Sequence, residues 1–123
     1  MTVTHSPAAR NNLADAILAL IDAGAGAGKL IFRTVGDVIV ATLIFSNPAG
    51  TVSGEILTFD AITSDTNAVG GTVAKATIED DSGNAVVLTD NVQVSGGDLD
   101  LSSLVIGATD TVSCSALSYT ASN

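Results

Sequence analysis

The sequence predicts a mainly β protein, an antiparallel β-sandwich or small barrel preceded by one N-terminal α-helix. Three observations predict it. Beyond residue 28 the chain breaks into short runs rich in Val, Ile, Thr and Phe. Turn signals separate these runs about every 8–15 residues, the spacing of small all-β domains. No helical pattern lies between them, which argues against a parallel βαβ sheet. The one helical pattern stands near the N-terminus.

Ser6 and Pro7 announce the helix, because Ser caps N-termini well and Pro is pre-set for the first helical position. In "AARNNLADAILALIDAG" Leu13, Ile17, Leu20 and Ile21 form one apolar stripe, while Arg10, Asn11, Asp15 and Asp22 lie opposite. The spacing predicts a helix over about 7–23, docked by that stripe onto its own domain or onto a neighbouring subunit. These four residues are the candidate partner-binding residues. Gly24 is the expected helix C-cap, followed by a flexible Gly-Ala link to residue 28. The chain therefore divides into 1–28 (tail, helix and joint) and 29–123 (β domain).

From Lys29 the period changes. "KLIFRT" and "DVIVATLIFSN" read as β runs, and Pro48 and Gly50 close them with a turn. "TVSGEILTFDAI" reads as one strand with a bulge at Gly54. "TVAKATIE" and "AVVLTDNVQV" flank "DDSGN" and form the clearest hairpin. "SGGDLDLSS" breaks the pattern before Leu104 and Ile106. "ATDTVSCSALSYTA" closes the chain; Val112, Cys114 and Ala116 share one face, with Leu117 and Tyr119 on the other. A bulge near Ala116, or burial on both faces, would explain that switch. The total is about seven or eight strands.

Composition bounds the function. Hydrophobic residues make up 46%, yet only Phe32, Phe45, Phe59 and Tyr119 are aromatic, so the core is aliphatic. No apolar run approaches the ~20 residues that span a bilayer. "MTVTHSPAARNN" lacks the charged and apolar regions of a signal peptide. Thirteen carboxylates face four Lys and Arg, a net charge of −9. That surface repels phosphate backbones and anionic lipid, so neither nucleic acid nor membrane is an expected partner. It suits solubility, or a basic partner. Cys114 is the single cysteine and reads as a buried, inert thiol.

The chemistry-bearing motifs fail one by one. "DAGAGAGKL" places Ala23 where a phosphate-binding loop needs its first Gly, and Leu30 where it needs Ser or Thr. Its helix also precedes rather than follows. The dinucleotide pattern fails on the spacing of Gly24, Gly26 and Gly28. "EDDSGN" and "GGDLDL" lack the ligand spacing of a calcium loop, and a turn explains the first. The single histidine, His5, lies in the tail before the helix cap and offers no triad base. Without Trp a sugar cleft lacks its usual platform. The expectation is a non-enzyme with no cofactor, no metal and no catalytic residues.

The order of segments carries a resemblance. The helix "ARNNLADAILALIDAG", then "GKLIFRT", "VATLIFSNPA", "GTVAKATIEDDSGNAVV", "SGGDLDLSSLVI" and "GATDTVSCSALSYT" resemble a family of small virion structural proteins of tailed bacteriophages. The likeness runs from about residue 9 to 120. The connection "VGDV" is shorter than the Ala/Pro/Gly-rich excursion of that family. The resemblance implies a jelly-roll-like sandwich and a head decoration (cement) role. It implies a protein made in the bacterial host cytoplasm and placed on the phage head surface. The implied partners are the major capsid protein and further copies, as a dimer or trimer. Tail or fibre-adaptor service is the alternative, followed by a calcium- or carbohydrate-binding module. A mean hydropathy of +0.49 suits a surface partly covered by other subunits.

Overall fold

The computed structural model describes residues 6–24, 26–90, 92–93, 99–101, 103–114 and 117–120. The chain is mainly β, with antiparallel sheets and one N-terminal helix, α1 (Pro7–Ile21). Ser6 caps α1 as its sequence predicts, with its hydroxyl accepting the Ala9 N–H at 3.1 Å. The helix ends two residues earlier than the periodicity suggests. Asp22 is the C-cap, and Gly24 follows in the left-handed region at φ 97°.

One sheet holds four strands in the order β2-β1-β6-β7. These are β1 (Lys29–Arg33), β2 (Ile39–Ile44), β6 (Lys75–Glu79) and β7 (Ala85–Thr89). Strand β1 pairs with its hairpin partner on one side and with β6 on the other. Such a long return is the connection Greek-key sandwiches use. A second sheet orders β11-β4-β3, from β3 (Gly50–Ser53), β4 (Ile56–Phe59) and β11 (Ser118–Thr120). Two small two-stranded sheets complete the described strands. β5 (Gly71–Thr72) pairs with β10 (Val105–Ile106), and β8 (Val92–Gln93) pairs with β9 (Leu99–Asp100). The last pair is parallel; the others are antiparallel.

Both sheets contribute to one core. Leu30, Phe32, Leu43, Ala76 and Ile78 come from the first sheet, and Leu57 and Phe59 from the second. Phe45 stacks on Phe59 with ring centroids 4.7 Å apart, joining the end of β2 to the end of β4. α1 belongs to this core. Ile21 is fully buried in it, with Ile17 and Leu18 packed alongside, and the helix lies against β3, β4 and β7.

Three expectations change. The run 51–62 is a hairpin, not a bulged strand, because Gly54 and Glu55 both take positive φ (58° and 73°). Two such residues make the tight turn whose twist matches paired strands, so β3 folds back as β4. The closing run does not form one strand. Val112 bridges Asp65, while Ser118–Thr120 pairs with β4, and this division separates the two apolar faces. Ala116 lies outside the described residues. The buried helix stripe is Ala14, Ile17, Leu18 and Ile21, rotated from the predicted one. Ala14 is fully buried, and a count of large apolar residues overlooks it.

Ile21→Ala is expected to cost about 2–5 kcal/mol in chemical denaturation, as a cavity at a fully buried site. Leu20→Ala, one residue away but exposed, should change stability by less than about 0.5 kcal/mol. Equal losses would contradict this docking of α1.

Candidate functional site

The four helix candidates separate by burial. Ile21 lies in the chain's own core and Ile17 packs on it. Leu13 and Leu20 are 42% and 54% exposed. They lie two helical turns apart on one side, so they remain the helix residues open to a partner. Further large apolar residues are exposed elsewhere: Val35 and Val38 at the β1–β2 turn, Leu88 on β7, and Val69 and Val105 on loops and β10.

The joint after α1 is held rather than loose. Asp22 ends the helix and its Oδ1 accepts the Ala49 N–H at 2.9 Å. Asp81, at the β6–β7 turn, accepts the Gly26 N–H at 2.7 Å. A Cβ on Gly24 would run into the Asp81 carboxylate. A Cβ on Gly28 would sit 2.7 Å from both the Glu79 carbonyl oxygen and Ile21 Cγ2. These glycines let helix and hairpin pack at backbone distance. The reading of 24–28 as a flexible link is therefore corrected.

The acidic stretch "DDSGN" is likewise spoken for. Asp80 Oδ1 accepts the Ser82 and Asn84 N–H groups at 3.0 and 2.8 Å, and Oδ2 accepts Asn84 Nδ2 at 3.0 Å. The hydrogen bond from the Asn84 side chain, with those from the turn's backbone, holds the Asp80 carboxyl below its usual 3.8; burial acts the other way. Among the described residues no three of His, Cys, Asp and Glu stand close enough to hold a metal ion. Part of "GGDLDL" lies outside them, as does His5. Cys114 is half-buried against the core.

The sheet's outer face gathers charge that the sequence reading passed over. Register and alternation put Lys29, Ile31 and Arg33 of β1 on this face with Lys75, Thr77 and Glu79 of β6. Three of the four basic residues thus meet on one surface. Glu79 is buried, and its Oε2 accepts Arg33 Nη2 at 2.8 Å and the Thr77 hydroxyl at 2.7 Å. Arg33 Nη1 donates to the Asp37 carbonyl at 3.1 Å, and Lys75 Nζ pairs with Asp37 Oδ1 at 3.0 Å. Asp37 itself stands at φ 68° in the β1–β2 turn, a conformation Asp tolerates. The signal was available: "KLIFR" and "KATIE" each carry charge at both ends with period two. What it lacked was the register that sets one run against the other.

Beside this network lies an open depression of about 490 Å³ lined by Asp37, Lys75, Leu88, Thr89 and Asp90. The Lys75–Asp37 pair engages two of its three charged side chains, and Asp90 is the third. No helix among the described residues is long and apolar enough to cross a membrane. No protein-family model, curated protein or solved structure matches this chain. The described surface carries exposed apolar residues on α1 and β7 and a charged face on β1 and β6.

Two measurements check these assignments. Arg33→Ala leaves Glu79 buried without its cation and should cost about 1–3 kcal/mol; Lys75→Ala at the exposed pair should cost less than about 1 kcal/mol. Asp80 has a lowered folded pKa, so its contribution is complete above the usual 3.8 and is lost as pH falls through the lower folded value. The melting-temperature gap between the native chain and Asp80→Asn should therefore be widest near about pH 7 and narrow below about pH 4. A gap independent of pH would rule out this role.

Proposed function

We propose that this chain is a structural subunit of a tailed-phage virion, a decoration (cement) protein that seats on the major capsid protein and stabilises the head. The observation that carries the reading is the exposed apolar surface. Leu13 and Leu20 face outward from α1 although the residues beside them, Ala14 and Ile21, are buried in the core. Val35 and Val38, at the β1–β2 turn, are exposed as well. A chain of net charge −9 gains from covering such residues in an assembly, where the apolar contacts offset desolvation. The segment order that resembles small phage structural proteins supports the same reading, and supplies its location on the head.

The mechanism is linkage. A subunit that binds the assembled shell more tightly than its free components shifts the equilibrium toward assembly. Contact at capsomer junctions needs no chemistry from side chains, only area and shape. The held joint matters here. Because Asp81 and Asp22 fix the end of α1, Leu13 and Leu20 are presented from a rigid element, which lowers the ordering cost of docking.

Antibody labelling of particles of the encoding phage should place the chain over the head surface. Leu13→Asp with Leu20→Asp should leave the melting temperature within a few degrees (about 4–8 °C per kcal/mol for a domain near this size) yet abolish rebinding to stripped heads. Heads lacking the protein should assemble but lose their contents at lower temperature. Labelling confined to the tail, or heads of unchanged heat resistance, would overturn the reading.

A further inference from the structure

The sheet β2-β1-β6-β7 has two edges, and the chain treats them differently. In an antiparallel ladder, successive residues turn their N–H and C=O alternately to one neighbour and the other. Phe45 donates to the Gly28 carbonyl at 3.0 Å and Thr34 to the Val38 carbonyl at 2.9 Å, so the even-numbered residues of β1 face β2. Its odd-numbered residues then face β6. The registers pass this parity across the sheet. On β2, residues 40, 42 and 44 face outward. On β7, Val87 and Thr89 face β6, and Leu88 faces outward.

At each outward position of β2 the backbone has a hydrogen-bond partner. The Val40 carbonyl accepts the Val69 and Gly70 N–H groups at 2.9 and 3.2 Å. Thr42 N–H donates to Asp65 Oδ2 at 2.9 Å. Ile44 exchanges both backbone bonds with Thr63 at 3.2 and 2.8 Å. At Leu88 no described residue supplies any such partner. Its side chain is 66% exposed, and β7, "AVVLT", contains no charge and no proline. Charge, proline and coverage are the devices that ordinarily keep an edge from pairing. β7 has none of the three at its centre.

We propose that β7 is a self-pairing edge, through which two copies of this chain join antiparallel about a two-fold axis at Leu88. The occupant is argued from the strand's own sequence. About that axis, Leu88 meets Leu88 of the second copy, Val87 stands opposite Thr89, and Val86 stands opposite Asp90. No carboxylate falls opposite another, so the direct like-charge opposition that would forbid self-pairing is absent. The Leu88 N–H and C=O of each copy exchange two hydrogen bonds, and the two sheets become one of eight strands. The most exposed residue of β7 is buried by its own symmetry mate. A short edge buries less than the ~1,200 Å² of a standard interface, so the dimer is weak and reversible. Its strength also has a sign in salt. The contact is apolar and backbone-made between two chains of net charge −9, so screening strengthens it.

The test uses the full chain in sedimentation equilibrium and in an amide-resolved NMR dilution series. Expected are a reversible dimer at about 0.1–1 mM and concentration-dependent shifts centred on residues 86–90. Raising salt from about 0.05 M to about 1 M should tighten it. Leu88→Lys should weaken association at least tenfold. Leu88→Pro should do the same, and because the Leu88 N–H makes no bond in its own sheet, the melting temperature should stay near that of the native chain. A chain monomeric throughout this range would overturn the proposal. So would a dimer that survives both substitutions, that weakens in salt, or whose shifts map away from β7.

Discussion

The close approach of α1 to the β6–β7 hairpin is the constraint on which the rest of the molecule depends. It happens at Gly28, where Ile21 and the backbone of Glu79 leave no room for a side chain. From that point helix, first strand and hairpin are fixed relative to one another. Asp81 then accepts the Gly26 N–H, and Asp22 accepts that of Ala49, so both sheets are tied to the end of one helix. Two carboxylates in a chain rich in them thus serve the backbone rather than a ligand. A buried backbone N–H left unmet in such a junction would cost about 1–3 kcal/mol.

The same economy explains the polar face of the sheet. Arg33 satisfies Glu79, Thr77 and the carbonyl of Asp37 at once, which is the condition for a buried carboxylate to persist. Ile31 is buried although it lies on this outer face, away from the main core. The outer face is finished by long side chains, while the inner face is finished by aliphatic packing. One edge of the sheet is closed by loops and by Asp65. The other ends at β7, and the exposed apolar residues of α1 stand beyond the core that Ile21 joins. These open places carry the proposed assembly role, in which contact area substitutes for catalysis.

Much of this architecture was legible in the chain. Ser6 and Pro7 marked the start of α1, and period-two runs marked β1, β6 and β7 around "DDSGN". These signals are local, resting on capping and on alternation between neighbours. The Gly54–Glu55 hairpin was missed because its turn uses Glu at a positive φ, which sequence preference disfavours. The stripe on α1 was misplaced by one step because Ala14, too small to count as an anchor, is fully buried.

The sequence by itself determined the class of the molecule: one capped helix, an aliphatic core, short antiparallel strands and an acidic composition. Composition and period suffice for that, since burial must follow the apolar face of each element. Only the tertiary structure decided that Gly24, Gly26 and Gly28 pack against their neighbours at close range and that Lys29, Arg33 and Lys75 share a face. It alone also decided that Leu88 has no backbone partner among the described residues. Each of these depends on pairings between residues tens of positions apart. No local propensity encodes such register, because it is set by how the whole core closes.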